Sequence, residues 1–212
     1  MLFQTPEFLL FIIAVLAMYW GVLGGRRQAQ NMMLLVASYI FYGWWDWHFL
    51  GLIFFSTVVD YICGLYLDKR QSTNEGEYVL NALKRKRVLI VSLVCNLGLL
   101  GFFKYYNFFT ESLASSAWVM FGYEFEPWFL DIAVPVGISF YTFQSLSYTI
   151  DIYRGKLRSR RSFLDFALFV AIFPQLVAGP IVRAKEMLPQ IEKDRKFHLE
   201  TAQEGLWLIL WG

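Results

Sequence analysis

In this chain of 212 residues 57% are apolar and only 17% are charged, whereas soluble domains run closer to one half and one quarter. A soluble fold of this length could not hide so much apolar surface. A bilayer can, because the lipid-facing side also favours nonpolar groups. The net charge of +2 makes no electrostatic case for nucleic acid, and the expected fold class is an all-α polytopic transmembrane bundle.

The first apolar stretch covers residues 6–23. No Lys or Arg precedes it, and it runs into Arg26 and Arg27 rather than a small-residue cleavage site. It therefore predicts a retained first helix with its N-terminus outside. Further helices are expected at about 31–45, 49–67, 88–109 and 128–152. A spanning helix needs about 20 residues, so the third, fourth and fifth stretches qualify comfortably. The basic residues set the orientation. Arg26 and Arg27, Lys69 and Arg70 with the run 84–87, and the cluster Arg154, Lys156, Arg158, Arg160 and Arg161 fall on one side if the helices alternate. That side is then cytoplasmic. The opposite connections carry Asp46, Glu111, Glu124, Glu126 and Asp131. Lys104 is the exception and is expected to snorkel to the outer interface.

A single crossing by the sixth stretch, residues 163–182, would put Arg183, Lys185, Lys193, Arg195 and Lys196 outside. Pro174 and the pair Gly179-Pro180 interrupt it. The unbroken part, 163–173, is roughly 16 Å long at 1.5 Å per residue, about half a hydrocarbon core. The stretch is thus read as a broken, re-entrant segment that enters and leaves from the cytoplasm. Residues 183–203 follow as surface helices with Met187, Leu188, Ile191, Phe197 and Leu199 as their apolar set. A further apolar run opens at 206–211, which suggests part of a longer chain.

Within the apolar stretches a few polar residues stand out. Asp60 reads as a path group or, more simply, as a packing carboxylate, and Asn96 as interhelical glue. In the fifth stretch Gln144, Tyr148 and Asp151 share one helical face, and Thr142, Ser145 and Thr149 share another. A helix polar on two sides belongs at the centre of a bundle, as the lining of a polar path or as a hydrogen-bonded strut. Asp151 and Arg154 are spaced to pair. Cys63 and Cys95 sit in apolar runs and read as small buried hydrophobes. His48 and His198 have no ligand-spaced partners, so no metal site is visible. His48 reads as interfacial and His198 as solvated, with neither suited to act as a catalytic base.

Three stretches carry a more specific signal: SYIFYGWW at 38–45, VPVGISFYTFQSLSYTIDIYRG at 134–155 and FALFVAIFPQLVAGPIVR at 166–183. Together they resemble the membrane-bound O-acyltransferase family, in the branch that acetylates exported polysaccharides such as alginate, over the whole of residues 1–212. The resemblance implies the N-terminal part of a single transmembrane domain in a bacterial inner membrane. It also implies a funnel from each side toward an intramembrane histidine in the second half of proteins about twice this length. Neither His48 nor His198 matches that motif, so the resemblance implies no catalytic residue within these positions. Related chains often have His where this one has Gln175. The funnel-lining candidates are Gln144, Tyr148, Asp151, Arg154, Gln175, Gly179, Pro180 and Arg183. No bound cofactor is implied; an acyl thioester donor, acetyl-CoA or an acyl carrier, is. The implied partners are the lipid bilayer and a polysaccharide acceptor reached through a periplasmic acetyltransferase. The competing readings are a secondary transporter with discontinuous helices and a non-catalytic membrane scaffold.

The charge asymmetry makes a direct prediction. With Cys63 and Cys95 replaced, a single cysteine at Gly122 is expected to react with an impermeant thiol reagent in intact cells, and one at Gly76 to be protected. The reverse pattern would overturn the orientation.

Overall fold

The computed structural model describes residues 4–68, 75–122, 135–173, 175–180 and 182–211. Lys69, Arg70, Glu124, Glu126, Asp131 and Pro174, to which the sequence assigns roles, lie outside the described residues. The described residues form helices and turns with no strand. Helix α1 is Pro6–Leu16, with Thr5 as its cap and Pro6 at its first position, where a missing N–H costs nothing. It continues as a π-helical turn, Ala17–Val22. Helix α2 is Arg27–Gly43. A 3-10 turn, Trp47–Phe49, is capped by the Asp46 side chain and runs into α3, Leu50–Leu67. Then come α4, Glu75–Phe121, α5, Ile138–Tyr153, and α6, Phe163–Ala171. Three further helices follow: α7, Gln175–Ala178, α8, Ala184–Glu192, and α9, Leu199–Trp211.

Two of these, Trp47–Leu67 and Ala82–Met120, are long and apolar enough to cross a membrane, and Pro6–Val22 is a shorter apolar helix. Only 17% of the apolar window of α4 is buried, the opposite of a soluble core helix. Ile90, Val91 and Val94 on α4, like Leu9, Leu10 and Ile13 on α1, point outward, as lipid contact requires.

The structure corrects several sequence expectations. Helix α4 has 47 residues, roughly 70 Å, not the 22 or so of its apolar stretch. Arg85, Arg87, Glu111 and Ser112 therefore lie on helix rather than in loops. The reason is propensity. The flanks are rich in Leu, Ala, Lys, Arg and Glu and contain no Pro, so the helix continues where the lipid-matching segment stops. Helix α2 begins at Arg27 rather than Asn31 for the same reason. Among the described residues the fifth helix begins at Ile138. Pro135 and Gly137 hold the backbone out of the helix, and Gly137 has φ +78°, which a side chain disfavours. A Cβ at Gly137 would also stand 2.6 Å from the Leu176 carbonyl oxygen, so this glycine lets α7 close on the start of α5.

Contacts join the helix ends into two groups. At one end the Tyr42 hydroxyl donates to the Val136 carbonyl at 2.6 Å, and Lys104 reaches Ser139 at 3.3 Å. At the other end Arg85 donates to the Tyr153 carbonyl at 3.0 Å, Ser159 to Asp68 at 2.8 Å, and Tyr61 to the Arg161 carbonyl. Helix α5 sits among α3, α4, α6 and α8. Its buried set, with Tyr141 and Tyr148, meets Phe166 and Phe169 of α6 in the main core. Helices α3 and α5 approach closely at Gly64, where a Cβ would lie 2.6 Å from the Tyr148 ring. Small residues allow such close approach between helices in lipid, where apolar burial alone does not drive association.

Gly64→Ala is accordingly expected to destabilise the protein by about 1–3 kcal/mol through overpacking. Gly51→Ala on the same helix, with nothing within 4 Å of its Cβ, is expected to be neutral or stabilising. Thermal unfolding in detergent compares the two; equal midpoints would show that the Gly64 contact carries no constraint.

Candidate functional site

Three polar layers cross the bundle, and α5 or its neighbour α6 takes part in each. In the first, Asp60 of α3 is fully buried. It accepts from the Ser92 hydroxyl at 2.6 Å and from the Asn96 amide at 2.9 and 3.0 Å. Ser56 donates to the Asn96 carbonyl oxygen at 2.5 Å, and Ser92 also meets Thr149 of α5 at 3.2 Å. The face Thr142, Ser145, Thr149 is thus turned toward α3 and α4, and all three residues are buried. Every oxygen and nitrogen of the Asp60–Asn96 pair is engaged, so this layer reads as a strut that ties three helices together.

In the second layer Gln144, also buried, donates to the Phe169 carbonyl of α6 at 2.5 Å. The Tyr148 hydroxyl accepts from the Arg160 backbone amide at 2.9 Å, and its ring lies 4.4 Å from that of Phe166. Two sequence candidates therefore face the broken segment. A residue the sequence reading overlooked stands three positions earlier. Tyr141 is 1% exposed, and its hydroxyl has no hydrogen-bond partner among the described residues. Neighbouring Tyr42 already spends its own hydroxyl on Val136. A buried hydroxyl without a partner calls for a reason, and only its chemical environment, not its spacing, reveals it.

The third layer lies at the basic end. Asn31 of α2 donates to Asp165 of α6 at 2.7 Å and to the Ile191 carbonyl of α8 at 3.1 Å. Arg27 reaches the other Asp165 oxygen at 3.4 Å, and Ser162 caps α6 by accepting from the Asp165 amide at 3.2 Å. Arg195 donates to the Asn31 carbonyl oxygen at 2.7 Å and to the Tyr19 hydroxyl at 2.5 Å. Arg160 pairs with Glu192 at 2.8 Å. The chain therefore leaves this end at Phe163, turns after Ala171, and is back beside Asp165 by Ile191.

The remaining candidates fall in two places. Gln175, Gly179 and Pro180 form one tight turn. The Gln175 side chain donates to the Pro180 carbonyl at 3.0 Å, and a Cβ at Gly179 would strike Gln175 at 2.7 Å. Arg183 is exposed and precedes α8, its carbonyl accepting from Glu186 and Met187. Asp151 and Arg154 lie at the basic end of α5. They do not form the ion pair their spacing suggested; Arg154 is the exposed C-cap, where water competes with a pair. Phe197 and Leu199, expected to be the apolar side of a surface helix, are exposed, whereas Leu188 and Ile191 are buried.

The histidines are both exposed. His48 stands at the opposite end, its ring nitrogen 2.8 Å from Asp46. The His48 backbone amide and then its side chain hold the Asp46 carboxyl below the ordinary range. Among the described residues no group of three His, Cys, Asp or Glu could hold a metal.

If Asp60 and Asn96 act as one unit, Asn96→Ala is expected to cost about 1–2 kcal/mol. Asp60→Asn with Asn96→Ala is expected to cost less than the sum of the singles. A double-mutant cycle by unfolding in detergent measures this; strict additivity would mean the two are not coupled.

Curated relatives match the chain along its whole length. It is 41% identical to the Pseudomonas aeruginosa protein named probable alginate O-acetylase AlgI, covering 38% of that protein. It is 39% identical to the Pseudomonas putida protein of the same name, covering 41%. It is 32% identical to the Helicobacter pylori peptidoglycan O-acetyltransferase, covering 42%. The chain thus spans about two fifths of the length of these relatives. No family model and no solved structure matches it.

Proposed function

We propose that this chain, a member of the membrane-bound O-acyltransferase family, forms part of a membrane enzyme that moves an acetyl group from a thioester donor to hydroxyls of an exported polysaccharide. The observation that carries this reading is the full-length match to relatives named O-acetylase and O-acetyltransferase. An acetyl-CoA or acyl-carrier donor, a uronate acceptor such as alginate and a periplasmic acetyltransferase partner suit that chemistry. In it the acceptor oxygen attacks the thioester carbonyl, the carbon–sulfur bond breaks, and the acceptor proton must be taken up.

Five crossings, by α1 with its π turn, α2, α3 with its 3-10 turn, α4 and α5, support this reading best, with the basic end cytoplasmic in an inner membrane and the N-terminus outside. In it α6 and α7 are re-entrant, their free backbone groups facing α5 rather than lipid. Gln144 and Tyr148 then hold the broken segment in place. The turn of Gln175, Gly179 and Pro180 forms its tip, and Asp151, Arg154 and Arg183 line the cytoplasmic mouth. Tyr141, with its unused hydroxyl, is the group in α5 best able to donate to a substrate oxygen. Neither exposed histidine suits the proton transfer, so the isolated chain is expected to show no acetyl transfer above background.

The test is replacement. These 212 residues substituted for the matching segment of the Pseudomonas aeruginosa relative are expected to restore alginate acetylation in cells lacking it. A well-folded chimera that leaves the polymer unacetylated would sink the reading. In the active chimera Tyr141→Phe is expected not to lower the melting temperature, because it removes a buried hydroxyl that makes no hydrogen bond among the described residues. It should lower acetylation several-fold, while His48→Ala and His198→Ala should not. A drop in acetylation from either histidine change would assign that side chain a role denied here.

A further inference from the structure

Beside the Asn31 layer lies a cavity of about 700 Å³ between the π turn and the stretch joining α8 to α9. That volume is within the range of small-ligand sites. Trp20 and Phe197 wall it, their rings meeting edge to face at 5.5 Å. Lys193, Arg195 and Lys196 line it against a single carboxylate, Asp194. That carboxylate leans toward Arg27, 3.9 Å away.

The three cations are not equivalent. Arg195 is fixed: it donates to the Tyr19 hydroxyl, to Asn31 and to the Ile191 carbonyl, and its guanidinium lies 5.8 Å from the Tyr19 ring centre. Lys193 and Lys196 form no ion pair among the described residues. Two ammonium groups without ion-pair partners, flanking a pinned arginine in sequence and lining one cavity with it and with an aromatic wall, make a site for a phosphate-bearing anion. Its level is set by its neighbours. It adjoins the basic end, and Trp20 occupies the last turn of the first apolar helix, where an indole marks the membrane–water boundary.

We propose that this cavity binds the phosphodiester headgroup of an anionic phospholipid. Lys193 and Lys196 are its charge partners, and Trp20 and Phe197 lie at the start of the acyl chains. The proposal rests on the membrane reading and on which end faces the headgroups, not on acetyl transfer.

Native mass spectrometry of the full chain in neutral detergent, titrated with phosphatidylglycerol or phosphatidylcholine, tests it. Phosphatidylglycerol is expected to be retained at concentrations at least about tenfold lower than phosphatidylcholine. The double variant Lys193→Gln/Lys196→Gln is expected to lose on the order of tenfold in phosphatidylglycerol affinity, because each cation near a headgroup contributes appreciably. Lys156→Gln/Arg158→Gln, which removes the same charge from the same end, should leave that affinity unchanged. Equal losses in the two variants, or no lipid preference in the unaltered chain, would overturn the site. Displacement of phosphatidylglycerol by coenzyme A at comparable concentration would overturn the lipid assignment and give the cavity to a phosphate-bearing acyl donor. Because preference and displacement are read on the unaltered chain, neither depends on how the variants fold.

Discussion

Lipid supplies no hydrogen bonds, and the internal arrangement of this protein follows from that. A charged side chain placed in an apolar helix must find its partners within the protein. The carboxylate of Asp60 is the severest case, and it is met by Ser92 and Asn96 of α4, which themselves lean on Ser56 and Thr149. Once that exchange is made, the rotation of α3, α4 and α5 about their axes is set. The second face of α5, with Gln144 and Tyr148, has to look at α6. The irregular backbone of the broken segment is satisfied within the protein: Gln144 donates to the Phe169 carbonyl and Ser38 accepts from the Phe173 amide at 3.1 Å. The polar helix and the irregular segment are therefore one design.

The same economy governs the basic end. Asn31, Asp165 and Arg195 link α2, α6 and the stretch beyond α8 through charge-assisted bonds, which are stronger than neutral ones. Arg160 and Glu192 add a pair between the α5–α6 connection and the end of α8. Segments distant in sequence are brought to one level, which gives the structural sense of basic residues on both flanks of residues 163–182. It also leaves the lysines after α8 without carboxylate partners, at an edge already rich in positive charge.

Much of this was legible in the residues. The alternation of apolar stretches marked the helices, the i, i+4 spacing of Gln144 and Tyr148 marked a buried face, and Gly179-Pro180 marked a break. What spacing cannot give is the identity of a partner. Asp60 and Asn96 are 36 positions apart and Asn31 and Asp165 are 134 apart, so only the fold joins them. The length of α4 was missed because hydropathy reports affinity for lipid, whereas helix continuation depends on backbone propensity. Asp151 and Arg154 were spaced to pair, but a pair also needs shelter, and the exposed end of α5 offers none. Tyr141 escaped notice because an absence of partners leaves no trace in a sequence.

The π-helical turn at Ala17–Val22 bears on how tolerant this protein is of small length changes. A π turn holds about one residue more than the α turn it replaces. Here it leaves the Tyr19 carbonyl free to accept from Gln30 at 3.1 Å. Deleting any one residue of the turn would let the segment relax to a continuous α-helix. The part upstream would then keep its phase, because the residue lost is the one the π turn absorbs; a deletion between Ile12 and Leu16 of α1 would instead rotate everything before it by about 100° and slide it by about 1.5 Å relative to α2. In that second case Phe11, now 6.0 Å from Phe41 and 5.3 Å from Phe173, would swing away from both, and Leu10 would take its place. The turn thus acts as a phase adjuster between two parts of one helix, one matched to the aromatic cluster and the other to the polar layer below. Homologues that keep both partners can therefore differ by one residue within the turn, but not within α1.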